Sequence, residues 1–316
     1  MIFAENLRPN ERPRGFNSWG CVGTAFAETV IPGLGYVING SYDKAVVFGG
    51  AKWASLTQTS MARNNENYQE DFEDTYEVVD KEESESGKYE TNLYLNRSTY
   101  DYSLYGTYYS NLLFLNYYDF YAHSCEKNTD TYYRLSDPIN FQHFWDKWYF
   151  WIPLALLMSS NVKNEDEAIN YYLGDGLTEQ YLRETSFSKY YLVGIGEETF
   201  FRGVFQSFFQ ELYTGWGASN NVGWHLGVAS AAAVFGMAHQ GQGFQASAGA
   251  AFLIGLYFGY VYQPSWDQYD IVTASALHSW WDIIVTYKIF NSSNFEESET
   301  PIRNKKFTLL SVNTSF

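Results

Sequence analysis

Three short clusters of ionisable residues interrupt otherwise apolar stretches of the chain: Glu197-Glu198-Thr199-Phe200-Phe201-Arg202, Phe235-Gly236-Met237-Ala238-His239 and His278-Ser279-Trp280-Trp281-Asp282. On a helix Glu198 and Arg202 share a face, so the guanidinium can neutralise that carboxylate. Glu197 is turned away by about 100° and left for another partner. A carboxylate in a low-dielectric pocket is pushed up by desolvation and pulled down by a nearby cation, which can make it a general base near neutral pH. His239 is the expected partner of Glu197. His278 and Asp282 are again four apart, so Asp282 can accept a ring N–H and fix the tautomer of His278. Taken singly, each cluster has a plain reading as an ion pair or a hydrogen-bonded core histidine; three in series point to a site.

These clusters need elements that hold them away from bulk water. The 316 residues carry 20 basic and 36 acidic side chains, a formal charge of -16, which excludes a general nucleic-acid binder. Mean hydropathy is -0.32, yet residues 212–266 contain no Asp, Glu, Lys or Arg, a stretch long enough for two membrane crossings. Aromatic residues make up 20% of the chain, with 28 Tyr and 10 Trp, rings that gather at water–lipid interfaces. The expected fold is therefore an all-α polytopic transmembrane helix bundle with a polar acidic loop in its N-terminal half.

Helices are expected near 190–213, 222–239, 243–262 and 271–290, with further apolar segments at 100–121 and 145–160. Residues 161–189 read as a polar surface connection with a helix in it. Between 61 and 90 there are 11 acidic and 3 basic residues, the composition of a solvated loop. Residues 20–57 read as two short hydrophobic helices with a kink at Pro32-Gly33-Leu34-Gly35 and a turn at Asn39-Gly40. The units expected are an N-terminal hairpin module (1–60), the acidic and Tyr-rich segment (61–140), the site-bearing domain (141–290) and a polar tail (291–316). The N-terminus lacks the apolar core of a secretory signal, and Arg8, Arg12 and Arg14 at the front with Arg303, Lys305 and Lys306 at the back favour cytoplasmic placement of both ends. Cys21 and Cys125 suggest neither a disulfide framework nor a thiolate zinc site. His123 and His143 are expected in surface or interface roles, and His225 at an interface.

The ordered set EExxxR, FxxxH and HxxxD resembles the CPBP family of intramembrane proteases, which includes CAAX prenyl endopeptidases and enzymes linked to bacteriocin processing and immunity. The likeness extends from about 149 to 290. The segment 31–54 also resembles a small membrane-associated hairpin module of bacterial proteins. The first resemblance implies a helical bundle around a water-accessible cavity, with hydrolysis of a peptide bond near a membrane surface. It implies that Glu197 and His239 activate water, that Glu198 and Arg202 hold the site, and that His278 with residue 282 stabilises the oxyanion. Where some members have Asn, this chain has Asp282, a poor oxyanion donor when ionised; it is expected to orient His278, which then serves as donor.

Glu197, His239 and His278 could also hold Zn²⁺ with an open position for water, and the resemblance leaves both mechanisms open. The metal-free form is the one expected. Partners implied are membrane lipid and a peptide or membrane-protein substrate, in the cytoplasmic (inner) membrane of a bacterium. Two other classes remain: a non-catalytic membrane scaffold or immunity-type binding protein, and a proton-coupled transporter in which buried Glu, Arg and His form a relay.

Overall fold

Turn residues and caps divide the chain as its sequence punctuation suggests. A computed structural model describes residues 12–68, 78–83, 89–127, 129–160, 167–239 and 247–300. The first elements are α1 (Trp19–Val30), α2 (Leu34–Asn39), α3 (Tyr42–Lys44) and α4 (Gly50–Arg63), the last two fused by a π-turn at Ala45–Gly49. Gly33 and Gly40, both at positive φ, bracket α2, so the two expected turns form and the two kinked helices resolve into more pieces. Strands β1 (Val78–Glu83) and β2 (Tyr89–Asn96) lead into α5 (Arg97–Ala122), a 3-10 segment (Thr131–Ile139), α6 (Phe141–Phe144) and α7 (Trp148–Ser159). Strand β3 (Glu167–Gly174) leads into α8 (Glu179–Glu198), which continues as a π-helix (Thr199–Gln206) and α9 (Ser207–Gly215). Then come α10 (Asn220–Ala238), α11 (Ser247–Tyr262), α12 (Ile271–Asn291) and β4 (Ser293–Glu297).

Helices α5, α8 and α12 form the centre. Thr178 caps α8 by accepting from the Tyr181 N–H at 3.2 Å, and Asp270 caps α12 by accepting from the Thr273 N–H at 3.1 Å, each satisfying a donor that the first turn leaves unpaired. Two glycines just before Glu197 allow unusually close approach. A Cβ on Gly194 would overlap Ser279 of α12, and one on Gly196 would overlap Asn111 of α5. The backbone of α8 is thus wedged between its two neighbours. The main core packs around buried Leu115, Phe120, Ile195, Phe258, Val272 and Leu277.

The described residues are mostly helical, as expected, and a four-stranded sheet is added to the helices. Its order is β1-β2-β3-β4, antiparallel for the first pair and parallel for the other two. Asn92, Asn170 and Asn294 stand side by side and join by amide hydrogen bonds of 2.9 and 2.8 Å, a ladder that pins register. Tyr94 stacks on Tyr172 and Tyr171 on Phe295. Part of the expected acidic loop is therefore strand, the connection 161–189 holds strand β3 as well as the start of helix α8, and the expected polar tail begins with a strand. Residues 69–77 and 84–88 of the acidic run, residues 240–246, the basic N-terminal residue Arg8 and the basic tail residues lie outside the described residues.

Among the described residues no helix is long and apolar enough to cross a membrane, which departs from the polytopic transmembrane bundle expected. The reasons are local. Helix α7 has 12 residues, with Pro153 inside, and α11 has 16. Helix α5 has 26 but is rich in Tyr and Asn, and α8 carries Arg183, Glu184 and Lys189. Large apolar side chains are nevertheless open on the outer faces, including Trp19 at 89%, Trp148 at 69% and Leu253 at 65% exposure.

The expectation against a disulfide is also corrected: Cys21 of α1 is bonded to Cys125, just beyond α5, 104 residues later. Packing of α1 on α5 brings their Cα atoms to 5.7 Å, within bridging range, a proximity that chain spacing does not reveal. His123 and His143 are less peripheral than expected. His123 lies 3.0 Å from the buried Asp119 carboxylate, and His143 lies 2.7 Å from that of Asp270.

Candidate active site

The end of α8 supplies two adjacent carboxylates, and the wide turns of the π-helix that follows reset the phase of the residues behind them, as at many functional sites. Glu198 is fully buried. Its Oε2 accepts from Arg202 Nε at 3.1 Å, and its Oε1 lies 2.8 Å from His278 Nδ1. The predicted Glu198–Arg202 pair therefore forms, and the carboxylate also reaches across to α12. Burial alone would push Glu198 up, but Arg202 and His278 together hold it below the usual carboxylate range.

His278 occupies the middle. Its Nε2 is 3.5 Å from Asp282 Oδ2 and 3.9 Å from Glu197 Oε2. Its ring packs against Phe258 at 5.0 Å and Phe235 at 6.1 Å between centroids. Burial would lower the imidazole, yet Asp282 and Glu198 raise it well above its ordinary value. Both ring nitrogens of His278 face carboxylates, Nδ1 toward Glu198 and Nε2 toward Glu197 and Asp282, which favours a proton on both. Glu198 holds Nδ1 at the shorter distance, and Asp282 faces the other nitrogen.

Glu197 differs from its neighbour in what it lacks. Its side chain is 20% exposed, and Oε2 has no hydrogen-bond partner among the described residues. Burial pushes this carboxyl up, while His278 and His239 pull it back only in part. His239 sits at the end of α10, with Nδ1 2.7 Å from the carbonyl of Phe235, so Nδ1–H donates and Nε2 keeps its lone pair in the neutral ring. Phe235 ties the group together. Its ring contacts His239 at 4.3 Å, and the Arg202 guanidinium lies 5.0 Å over it, a cation–π arrangement. Arg202 is fully buried, and its Nη1 and Nη2 have no hydrogen-bond partner among the described residues.

The structure thus gathers Glu197, Glu198, Arg202, His278 and Asp282, with His239 joined to them through Phe235. Phe235 and Phe258 were not foreseen as ring supports, although the FxxxH spacing already contained the first. Among the described residues no group of three or more His, Cys, Asp or Glu side chains is arranged to hold a metal ion. An unpaired carboxylate oxygen beside a proton-bearing imidazole can take a proton from water and present an N–H to developing negative charge.

Residues 185–284 match the family described as type II CAAX prenyl endopeptidase Rce1-like. That is the CPBP/CAAX protease family the three motifs resembled. The Rce1-like segment contains all six residues of the site and runs from within α8 to within α12. The sheet and α1 to α7 lie outside it. No curated protein and no solved structure matches the chain.

Proposed function

We propose that the chain is an endopeptidase that hydrolyses a peptide bond at a membrane surface, with water activated by Glu197 and His239. The observation that carries the reading is the unpartnered Oε2 of Glu197, 3.9 Å from His278 Nε2. Water held by Glu197 and His239 attacks the carbonyl carbon, and its proton passes to Glu197. The oxyanion is met by the Nε2–H of His278. Collapse breaks the C–N bond, and the leaving nitrogen takes the proton from Glu197. Glu198 and Arg202 act by positioning, holding His278 through Nδ1. Asp282 keeps that imidazole charged. No metal takes part in this sequence.

A peptide or membrane-protein segment is the substrate class, and lipid is the partner, supported by the open apolar side chains of α1, α7 and α11. A bacterial cytoplasmic membrane is the setting that goes with the hairpin module. The test is cleavage of a peptide set by the full chain in lipid vesicles. Glu197→Ala and His239→Ala should each abolish cleavage while circular dichroism stays native, and metal chelators should leave it intact. Equal cleavage by both variants would overturn the site, and loss on chelation that zinc restores would overturn the metal-free route.

A further inference from the structure

Three buried glutamines stand in file behind Arg202. Gln206 Nε2 donates to the Gly259 carbonyl and to Gln263 Oε1, both at 3.1 Å. Gln263 Nε2 donates in turn to Gln210 Oε1 at 2.7 Å and to the Trp266 carbonyl at 3.1 Å, and Gln210 Nε2 donates to that same carbonyl at 3.1 Å. All three side chains are at most 2% exposed. Two acceptors around Gln206 Nε2 fix which way its amide points, so the atom turned the other way is the acceptor Oε1. That oxygen has no hydrogen-bond partner among the described residues. It is the open end of a relay of amides that polarise one another, and the other end is the loop between α11 and α12, where Trp266 is 40% exposed.

About one turn back along the π-helix, Arg202 has the complementary deficit. Its Nε is spent on Glu198, and the N–H donors of Nη1 and Nη2 have no partner among the described residues. One hydrogen bond and the face of the Phe235 ring are what hold the guanidinium. Both residues look toward the helices packed on the π-helix: Arg202 lies over Phe235 of α10, and Gln206 Oε1 lies where a Cβ on Gly259 of α11 would meet it at 2.9 Å. Buried donors and a buried acceptor on one face are costly apart and offset each other once joined. A water that accepts from Nη and donates to Oε1 satisfies both. We propose that Gln206 is a positioning residue for the peptidase site, holding the Arg202 guanidinium against Glu198 through ordered water. Glu198 in turn lies 2.8 Å from His278 Nδ1. This rests on the peptidase reading above and ties its charges to the loop at 263–269.

Gln206→Met removes the acceptor at nearly constant volume. In the full chain kcat for peptide cleavage should fall by about ten- to a hundredfold, with KM unchanged. Once Arg202 is held less firmly, the charge of Glu198 is less compensated at its neighbours. Glu197, which also feels His278, His239 and Asp282, should then ionise at higher pH, so the acid limb of the activity profile moves up. A residue that only fills the core would leave that limb in place. Arg202→Met should lower kcat at least as far, and adding Gln206→Met to it should cost nothing more, because the two act as one unit. A second readout needs no turnover: the ¹⁵N titration of the His278 imidazole by NMR. Asp282 and Glu198 already raise it, and its midpoint should move to still higher pH in Gln206→Met. Wild-type kcat, an unmoved imidazole midpoint, or losses that multiply in the double variant overturn the proposal. If Gln206→Met does not fold, Gln206→Asn, one methylene shorter, takes its place with the same outcomes. Should the wild-type chain cleave nothing, the peptidase reading fails and the imidazole titration alone decides whether Gln206 positions Arg202.

Discussion

Two of the regions in which the molecule buries charge differ in how completely that charge is paired. Beside α1, the Glu28 carboxylate accepts from the N–H groups of Gly33 and Gly35, both at 2.8 Å, and pairs with Lys52, which also reaches Asn116 at 2.5 Å. Next to it, both oxygens of Asp119 are taken, one by Tyr36 and Lys44, the other by His123, Thr129 and Thr131. Every charged atom there has a partner. At the end of α8, by contrast, Glu197 Oε2 and two nitrogens of Arg202 have none among the described residues. Buried polar atoms without partners are rare and costly. A cluster whose charges are all paired fixes architecture, whereas one with unpaired charged atoms in the same chain leaves valences for water or substrate.

The comparison predicts opposite consequences of substitution. Glu197→Gln should lower the rate of peptide cleavage by roughly 10²- to 10⁴-fold without lowering the thermal unfolding midpoint, measured on one preparation. Lys52→Met should do the reverse. Leaving Glu28 buried and uncompensated should cost about 3–5 kcal/mol in chemical denaturation, while turnover below the new midpoint stays near wild type. A variant that moved both quantities together at either position would erase the distinction.

Two pH experiments sharpen it. The negative charge of Asp282 helps burial raise Glu197, and Glu197 must be ionised to act as base, so activity should rise with pH through an acid limb above the ordinary carboxylate range. In Asp282→Asn that limb should move to lower pH. The smallest effect belongs to Asp119. Burial opposes its ionisation, yet His123 and Lys44 hold it well below the usual value of 3.8. A depressed folded value contributes stability above the unfolded one that is lost as pH falls through the folded one. The unfolding midpoint should therefore decline below about pH 4, and Lys44→Met should flatten this decline.

Much of the site was legible because helical phase is local. The Glu198–Arg202 pair follows from a spacing of four, and so does the nearness of His278 to Asp282. The order of the motifs pointed to the family that residues 185–284 match. Glu198 holding His278 was not legible, since 80 residues separate them and only the glycine-mediated contact of α8 with α12 creates the meeting. The sheet was hidden for a related reason. The strand Tyr89–Asn96 lies at the edge of an acidic run, and Ser293–Glu297 looks polar until its partners are known, because parallel pairing is set by tertiary context more than by composition. Apolar runs suggested spans, but hydrophobicity says nothing about where a helix stops, and α7 and α11 stop early.

The asparagine ladder has a mechanical consequence. β2 feeds α5, β3 feeds α8, and α12 ends beside β4, so three helices hang from adjoining rungs of one frame. Glu198 sits about 30 Å from the start of α8, yet its height opposite His278 is gauged at the frame. A slip of β3 by two residues would shift its helix by about 7 Å, more than a helical turn, and the carboxylate would face a different rung of α12. The sheet thus works as a vernier for chemistry done at the far end.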